Sequence, residues 1–267
     1  MKAVVLARGK GTRMRQGSPA AADNAQARVA ESGVKGMIPF RRPFLDYVLS
    51  ALADAGCREA CLVIGPEHGM IREYYDHTCV PERIRVAYAI QQEARGTADA
   101  VLAARPFTGT EPFLVLNSDN YYPVDVLRSL VLLEDQGLPA FSRSALIERS
   151  NIDPERIRSY ALLEIANNGD LLDIIEKPDA VTFARYGRDA RVSMNVWRFD
   201  PSIYTACSQI DASPRGEIEL PNAVRYAVRV LGYRFRTIPV ETGVLDLSRR
   251  EDIAEVERRL AHVDPQP

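Results

Sequence analysis

The feature that most constrains this chain is an alternation, in its first half, of short apolar runs with segments of helical periodicity. Residues 2–7 form a β-branched run that stops at Gly9, as a buried parallel strand does where it enters a loop. A helix is predicted from Phe44 to a stop at Gly56, and the next apolar run covers 60–64. This order predicts a mostly parallel sheet with helices on both faces.

The later segments predict a mixed second half. Apolar and helical segments continue to alternate through 84–90, 97–104 and 113–116, and a helix follows from Pro123 to about residue 136. Strands at 160–165 and 171–175 then flank a predicted hairpin, because Asn and Gly tolerate the positive φ that its turn needs. The remaining predicted elements are a strand at 192–199, a helix at 219–231, a strand at 233–240 and an amphipathic segment at 248–260.

Composition excludes several classes of protein. The 267 residues carry 34 basic and 36 acidic side chains, so the broadly basic surface of a nucleic-acid binder is absent and no nucleic acid is expected as a partner. The longest apolar runs fall short of a membrane span, which predicts no membrane partner and a cytoplasmic location. Four cysteines without CxxC spacing are interpreted as buried small side chains. Only three histidines occur, which disfavours catalysis led by histidine.

A glycine loop follows the first strand. Its glycines would let backbone N–H groups approach phosphate oxygens, while Lys10, Arg13 and Arg15 would neutralise a polyphosphate. The loop is not a P-loop, because Gly11 is not followed by Lys-Ser or Lys-Thr, and it is not a dinucleotide fingerprint, because Met14 stands where the third glycine would be. The plainer alternative is a simple connection between elements. The segment reads Leu6, Ala7, Arg8, Gly9, Lys10, Gly11, Thr12, Arg13.

This loop resembles the opening of the sugar-1-phosphate nucleotidyltransferases, whose signature is a strand followed by GxGTR. Later segments resemble the same family in the same order, and together they span nearly the whole chain. They are Lys35 with Pro39, the Gln91 to Thr97 segment with Gly96, the strand ending at Asn117 and Asp119, the Glu176-Lys177-Pro178 tripeptide, Asn195, and Asp246.

The resemblance implies a Rossmann-like α/β fold of GT-A type, with a mixed, mostly parallel sheet and helices on both faces. It implies one nucleotidyltransferase domain over 1–267, with a nucleotide-binding half at 1–125 and a sugar-phosphate-binding half at 126–247. A C-terminal helix and tail would follow at 248–267. Within the first half, 16–33 is rich in Ala and has almost no large apolar residue, and we expect a flap there that orders on triphosphate binding; a tolerated surface insertion is the alternative.

The resemblance also implies residue roles. Arg13, Lys35 and Lys177 would act in catalysis, and Asp119 and Asp246 would hold Mg²⁺. The sugar phosphate would contact Asn117, Glu176, Lys177 and Asn195. The nucleotide would contact Leu6, Ala7, Gly9, Lys10, Gly11, Thr12, Arg13, Gln91, Gly96 and Thr97.

The residues themselves support the metal assignment while leaving alternatives open. Asp119 follows a predicted strand, at the edge where open α/β sheets bind ligands, and carboxylates from separate strand ends suit a divalent cation that bridges phosphates. An Asx turn at Asp119, and a salt bridge or helix cap at Asp246, are the structural alternatives.

The implied reaction joins a nucleoside triphosphate to a sugar 1-phosphate by Mg²⁺-dependent in-line displacement at the α-phosphate, giving a nucleotide sugar and pyrophosphate. The attacking phosphate is already an anion, so no general base is needed. A pyrimidine triphosphate is favoured as the partner, and a homo-oligomer is left open.

Two other functions remain open at this point: a non-catalytic, nucleotide-sugar-binding regulatory protein, and a cytidylyltransferase for a non-sugar phosphate such as phosphocholine. The second predicts an aromatic cage around Glu176 and Asn195. Departures from the family pattern keep the first open, since Arg8 replaces a small residue and Val244 replaces a tryptophan. Arg8 either contacts the nucleotide or points outward into solvent.

Overall fold

The structure is a computed structural model that describes residues 1–16, 24–187, 189–214 and 216–267. In this part of the chain the strands are β1 (Lys2–Leu6), β2 (Glu59–Ile64), β3 (Arg85–Ile90), β4 (Phe113–Asn117), β5 (Asn120–Tyr121), β6 (Gly137–Ser142), β7 (Leu162–Ile165), β8 (Leu171–Ile175), β9 (Arg191–Val192), β10 (Val196–Phe199), β11 (Arg236–Val240) and β12 (Leu245–Asp246).

The helices alternate with these strands in the first half and cluster between strand pairs in the second. They are α1 (Thr12–Gln16), α2 (Asn24–Ser32), α3 (Phe44–Asp54), α4 (Gly69–Glu73), α5 (Thr97–Ala103), α6 (Arg105–Thr108), α7 (Val124–Leu132), α8 (Arg143–Arg149), α9 (Pro154–Ile157), α10 (Ala180–Tyr186), α11 (Ile203–Gln209), α12 (Leu220–Arg229) and α13 (Asp252–Leu260). Lys35–Met37 forms a 3₁₀ turn and Tyr74–Thr78 a π-helical turn.

One mixed sheet organises the described part of the chain. Its strands lie in the order β3-β2-β1-β4-β10-β6-β9-β7-β8, and β11 also pairs with β6. The longest pairings, of five or six residue pairs each, are parallel and join β1, β2, β3 and β4, as well as β6 and β11. The pairings that involve β7, β8, β9 and β10 are antiparallel. The predicted mixed, mostly parallel sheet is confirmed.

Alternating side chains of each central strand supply two cores, one on each face of the sheet. Ala3 and Val5 of β1 face a core closed by α3, α7 and α13, whereas Val4 faces a core closed by α5, α11 and α12. This is the consequence of the two-residue period of a strand that is apolar on both sides. The predicted placement of helices on both faces is therefore confirmed.

The central position of β1 fixes where ligands have room to bind. The chain runs from β1 outward through β2 to β3 and then returns to β4 on the other side of β1, so the strand order reverses between β1 and β4. Leu6 at the end of β1 lies opposite Asn117 at the end of β4, and the Ser118 N–H donates to the Leu6 carbonyl at 3.1 Å. The glycine loop and Asp119 therefore leave the sheet at one edge.

A second, two-stranded sheet joins distant parts of the chain at this edge. In the antiparallel pair of β5 and β12, Asn120 lies opposite Asp246, and the Leu247 N–H donates to the Asp119 carbonyl at 2.8 Å. Two carboxylates that are far apart in sequence are thereby brought to neighbouring positions.

The structure differs from the sequence-based predictions in the second half. The predicted strand at 192–199 is two strands, because Asn195 adopts a positive φ of 58° between β9 and β10. The helix predicted to about residue 136 ends at Leu132, since Leu133 is extended and leads toward β6. β6, α8 and α9 carry no strong periodicity and were not predicted.

The predicted flap at 16–33 lies partly outside the described residues, at 17–23. Of the remainder, Asn24–Ser32 forms α2, which packs against α1 and the 3₁₀ turn. Ala30 is fully buried, and the Gln26 amide donates to Glu257 at 3.3 Å. The small side chains of this segment allow close packing, so 24–32 is anchored rather than loose. Ordering of the flap by a triphosphate stays a prediction.

The cysteines are thiols that the fold uses as small apolar side chains. Cys57, Cys61 and Cys207 are buried, and burial raises the pKa of each to about 12. Cys79 is only half-buried. Across the described residues, no helix has the length and apolar character needed to cross a bilayer.

We expect Leu116→Ala to lower the free energy of unfolding by about 2–5 kcal/mol, because Leu116 is fully buried at the end of β4 and its truncation leaves a cavity. Leu132→Ala is the matched control, since Leu132 is 73% exposed at the end of α7, and it should change stability by no more than about 0.5 kcal/mol. Urea titration followed by circular dichroism measures both, and equal losses would contradict the assigned core.

Candidate active site

Two adjoining cavities open at the edge of the sheet where β1 and β4 end. The first, of about 460 Å³, is lined by the glycine loop and the segment around Gln91. The second reaches toward α9 and β12. The residues common to both linings are Arg13, Lys35, Thr97, Asn117, Asp119, Glu176, Asn195 and Glu217.

The predicted site residues all lie around these cavities. Lys177 and Asp246 line only the second. Those that line the first are Leu6, Ala7, Gly9, Lys10, Gly11, Thr12, Arg13, Lys35, Gln91, Gly96, Thr97, Asn117, Asp119, Glu176 and Asn195. The fold therefore brings together residues that the sequence places in seven separate segments.

The glycine loop presents two exposed cations to the first cavity. The exposed side chains of Lys10 and Arg13 make no hydrogen bond or ion pair with another described residue. Gly11 has a φ of 60°, and a Cβ there would lie 2.3 Å from the Gly33 carbonyl oxygen, so only glycine fits. Arg15 differs from its two neighbours, because it donates to the Ser32 carbonyl at 2.7 Å and does not line the cavity.

The segment around Gln91 and Gly96 is clamped by a strand-like stretch from the second half of the chain. Ile218 accepts from the Ala98 N–H at 2.9 Å and donates to the Arg95 carbonyl at 2.6 Å. Gly96 has a φ of 112°, and a Cβ there would meet the Ile218 backbone at 2.5–2.9 Å. The Thr97 hydroxyl accepts from the Leu220 N–H at 2.8 Å. This clamp fixes the Gly96 backbone against the cavity wall.

Lys35 and Asp119 form an ion pair where the two cavities meet. The Lys35 Nζ lies 2.7 Å from the Asp119 Oδ2, and each side chain is about one-fifth exposed. The Asp119 Oδ1 accepts no hydrogen bond from a described residue. A cation and a carboxylate thus face the same space, each still accessible to a ligand.

Asp246 is the centre of a buried charge network. Its Oδ1 accepts from Arg156 at 2.6 Å and from the Ser248 N–H at 2.9 Å. Its Oδ2 accepts from the Tyr160 hydroxyl at 2.7 Å and from the Asn120 amide at 3.2 Å. Four donors therefore occupy the four lone-pair positions of this carboxylate.

Arg156 joins Asp246 to a second buried carboxylate. Its Nη1 lies 2.6 Å from Asp252, which is only 6% exposed. Burial lowers the pKa of Arg156, but the charges of Asp246 and Asp252 outweigh it and raise the pKa overall. Burial raises the pKa of Asp252, although Arg156 opposes this. Burial and the charge of Asp246 raise the pKa of Tyr160, which stays protonated and donates.

The two predicted metal ligands differ in how well they fit a cation. Asp119 has an oxygen without a hydrogen-bond partner among the described residues and fits a divalent ion. Asp246 does not fit as a direct ligand in this arrangement, because its oxygens are saturated and a guanidinium lies 2.6 Å away. In the described part of the chain, no three His, Cys, Asp or Glu side chains cluster as a metal site.

Backbone strain is concentrated at the second cavity. Among the described non-glycine residues, only Lys177 and Asn195 have positive φ, at 45° and 58°, and both line this cavity. Such conformations cost on the order of 1–3 kcal/mol each and occur mainly at functional sites. The Lys177 Nζ lies 3.5 Å from Glu219 and remains about half exposed. Glu176 lines both cavities.

The prediction from sequence missed several cavity residues. Glu217 and Glu219 line the first cavity, and the Arg156 and Tyr160 side chains line the second. No spacing rule marks Arg156 or Tyr160, because their position depends on partners nearly 90 residues away. For Glu217 and Glu219, the sequence offers one indication. Both follow Gly216 and directly precede the amphipathic helix α12.

Arg8 is not the solvated side chain that one sequence-based alternative described. Its side chain is 10% exposed and lines the first cavity, and its Nη2 donates to the Gln92 carbonyl at 2.9 Å. A longer contact of 3.4 Å joins the same nitrogen to Glu67. Arg8 therefore bridges the loops that follow β1, β2 and β3.

We expect Arg156→Met to lower the free energy of unfolding by about 3–5 kcal/mol, because it leaves two buried carboxylates without their cation. Arg158→Met is the matched control, since Arg158 is half exposed and pairs with Glu155 on the surface. It should change stability by no more than about 0.5 kcal/mol. Denaturant unfolding at pH 7 compares the two, and similar losses would show that the network is not stabilising.

Known proteins resemble this chain over nearly its whole length. A UTP–glucose-1-phosphate uridylyltransferase, AglF, of Haloferax volcanii is 29% identical over 264 residues, which cover 97% of this chain and 96% of that protein. A glucose-1-phosphate thymidylyltransferase of Streptomyces antibioticus is 29% identical over 259 residues, which cover 97% of this chain and 65% of that protein.

A solved structure of a UDP-glucose pyrophosphorylase complexed with UDP-glucose superimposes with a TM-score of 0.75 at 19% identity, covering 97% of this chain and 98% of that one. This likeness confirms the predicted Rossmann-like, GT-A-type fold class. The nucleotidyl transferase family model matches residues 2–237, which is most of the chain. The resemblance found from the sequence motifs is therefore confirmed, and the chain belongs to the nucleotidyl transferase family.

Proposed function

We propose that this protein joins a nucleoside triphosphate to a sugar 1-phosphate, releasing pyrophosphate and forming a nucleotide sugar. The observation that carries this proposal is the continuity of the two cavities through Lys35 and Asp119. One cavity has the features of a nucleotide site and the other those of a sugar-phosphate site, so the reacting phosphates would meet where the cavities join.

The first cavity supplies what a triphosphate needs. Backbone N–H groups of the glycine loop can approach phosphate oxygens. Lys10 and Arg13, which have no partner among the described residues, can neutralise the pyrophosphate as it leaves. Gln91 and the Gly96 backbone would contact the base at the other end of the cavity. The hydrogen bonds of Ile218 hold the segment that carries Gly96 in place. A pyrimidine triphosphate remains the favoured substrate.

The second cavity supplies polar partners for a sugar. Lys177 would steer the attacking phosphate, while Glu176, Asn117 and Asn195 would contact hydroxyl groups. Among the described residues that line the two cavities, Trp197 and Tyr160 are the aromatic ones, and they lie in different cavities. An aromatic cage for a quaternary ammonium is thus lacking there, which favours a sugar over phosphocholine.

A divalent cation, expected to be Mg²⁺, would bind through Asp119 and the phosphate oxygens of the substrates, because Mg²⁺ prefers a few carboxylates together with phosphates and water. When bound, it would neutralise charge on the phosphates as the α-phosphorus is attacked. Asp246 would act beside it by holding Arg156 and Tyr160 in the wall of the second cavity.

The proposed reaction does not need a general base. A phosphate oxygen of the sugar 1-phosphate is anionic near neutral pH, attacks the α-phosphorus and displaces pyrophosphate, so positioning and charge neutralisation do the work. His68 is buried and lines neither of the two cavities, and its Nδ1 accepts from the Gly65 N–H at 3.1 Å. Burial lowers the pKa of His68, which keeps this acceptor neutral.

We expect Asp119→Asn and Lys177→Ala each to lower kcat for pyrophosphate release by about 10²–10³-fold, because each removes a preorganised charge near the reacting phosphates. The matched control is Asp125→Asn, since Asp125 is 91% exposed at the start of α7. A matrix of nucleoside triphosphates against sugar 1-phosphates gives the wild-type substrates. Near-normal turnover of both variants would refute these assignments, and nucleotide binding without turnover in the wild type would favour a regulatory protein.

Gly96→Ala should raise the KM for the triphosphate by at least about tenfold, because the new methyl would push the base-contacting loop away from the Ile218 backbone. Gly109→Ala is the control, since Gly109 also has a positive φ, of 63°, but a Cβ there meets no atom within 4 Å. Steady-state kinetics with the preferred triphosphate would measure the change. An unchanged KM for Gly96→Ala would rule out the clamp as a support of the nucleotide site.

A further inference from the structure

Arg15 is the cation after the glycine loop that the proposed reaction leaves unused. It lies in α1, two residues after Arg13, and its exposed side chain lines neither cavity. Its Nη2 donates at 2.7 Å to the carbonyl of Ser32, the last residue of α2. A guanidinium at the C-terminal end of a helix caps a free carbonyl and complements the helix dipole. Arg15 therefore binds the protein itself, whereas Arg13 faces the first cavity.

The Arg15 guanidinium also covers Gly33, where the backbone packs directly against the glycine loop. Gly33 has a φ of 79°, and a Cβ there would lie 2.6 Å from the Arg15 Nε and 2.8 Å from the Lys10 carbonyl oxygen. From the other side, a Cβ on Gly11 would lie 2.3 Å from the Gly33 carbonyl oxygen. The two glycines thus meet with no side chain between them, and we name this approach the Gly11–Gly33 contact.

Arg15 supplies the polar link across the Gly11–Gly33 contact. Among the described residues, no hydrogen bond joins Gly11 to Gly33, and the bond from Arg15 to Ser32 is the one that joins α1 to α2. The Arg15 backbone N–H donates to the Gly11 carbonyl at 3.0 Å, so the same residue is tied to the glycine loop. Arg15 therefore holds the end of α2 against the glycine loop.

Lys35 lies in the 3₁₀ turn that follows this contact, here called the Lys35 turn. The Lys35 N–H donates at 3.0 Å to the Gly33 carbonyl, the same oxygen that lies against Gly11. At the other end of the turn, Met37 is buried in the core. The Lys35 Nζ reaches Asp119 at 2.7 Å, where the two cavities meet. A shift of Gly33 would therefore displace the Lys35 backbone while Met37 stays fixed.

We propose that Arg15 is a positioning residue that sets where Lys35 lies relative to the glycine loop. This inference rests on the proposed function for the role of Lys35. By holding the Gly33 carbonyl against Gly11, Arg15 keeps the Lys35 ammonium at the junction where the phosphates of the two substrates would meet. Arg15 contacts no substrate. Its effect on the rate follows because a misplacement of about 1 Å in a reacting group can cost about 10²-fold.

The alternative role for Arg15 is direct contact with the triphosphate, as proposed for Arg13. The two roles predict different losses. A cation that contacts phosphate strengthens substrate binding, so its removal weakens the affinity for the triphosphate. A residue that acts through Lys35 supports the chemical step, so its removal lowers kcat and leaves that affinity nearly unchanged. Measuring kcat and the dissociation constant separately therefore distinguishes them.

The test compares Arg15→Ala and Arg15→Lys with Arg28→Ala as the matched control. Arg28 is an exposed arginine of α2 whose side chain makes no hydrogen bond or ion pair with another described residue. Pyrophosphate release from UTP or dTTP with glucose 1-phosphate gives kcat and KM. Isothermal titration calorimetry of the same triphosphate, without the sugar phosphate, gives its dissociation constant. Amide hydrogen exchange over residues 33–38 of the substrate-free protein reports on the Lys35 turn.

We expect Arg15→Ala to lower kcat by about 10–100-fold and to change the dissociation constant of the triphosphate by less than about threefold. Exchange over 33–38 should become about tenfold faster, because the Gly33 carbonyl loses its support. Arg15→Lys should lie closer to the wild type, since an ammonium can still donate to the Ser32 carbonyl. Millimolar guanidinium chloride should raise the kcat of Arg15→Ala by replacing the missing group. Arg28→Ala should match the wild type throughout.

Gly33→Ala tests the same contact while keeping Arg15. Its new methyl would push against the Arg15 guanidinium and the Lys10 carbonyl, so kcat should fall at a nearly unchanged dissociation constant. Gly109→Ala is the matched control, since Gly109 also has a positive φ, of 63°, but a Cβ there meets no atom within 4 Å. Circular dichroism checks that each variant is folded.

A folded Arg15→Ala variant with the wild-type kcat, or with wild-type exchange over 33–38, would overturn the inference. So would a large rise in the dissociation constant at an unchanged kcat, which would make Arg15 a direct phosphate contact. If the wild type turns over no triphosphate, the proposed function fails, yet the exchange measurement still decides whether Arg15 fixes the Lys35 turn. The two failures are therefore separable.

Discussion

The parallel pairing of β1 with β4 is the constraint on which the site depends. It places the end of the glycine-loop strand beside the end of the strand that leads to Asp119, at the point where the strand order reverses. Because the two strands bury side chains on both faces, neither can shift by one residue without exposing a core. The glycine loop and the Asp119 carboxylate are thus held at one edge of the sheet. The apolar side chains that hold them there take no part in catalysis.

The second half of the chain completes this edge by contacts that are mostly between backbones. Ile218 is hydrogen-bonded on both sides to the segment that carries Gly96, and the pairing of β5 with β12 sets Asp246 beside the turn of Asp119. Backbone contacts of this kind depend little on side-chain identity. They explain how the overall fold matches that of a UDP-glucose pyrophosphorylase at only 19% identity.

Basic and acidic side chains are nearly equal in number in this protein, but at the site they have different surroundings. Asp246 and Asp252 are compensated by Arg156 inside the wall of the second cavity, where an unpaired charge would be destabilising. Lys10 and Arg13, at the exposed loop, have no such partners among the described residues. Buried acids are therefore neutralised by the fold, whereas the surface cations remain available to an anionic ligand.

Local periodicity and short motifs are enough to predict the alternation of strands and helices in the first half, the family, and the segments that line the cavities. The surroundings of individual side chains depend on contacts that form only in the folded chain. The Asp246 side chain, predicted as a metal ligand, is surrounded by Arg156 and Tyr160, and the Gln91 amide is oriented by Asp99. Such partners lie at distances in the chain that no motif encodes, and a carboxylate's role is set by which donors the fold brings within about 3 Å.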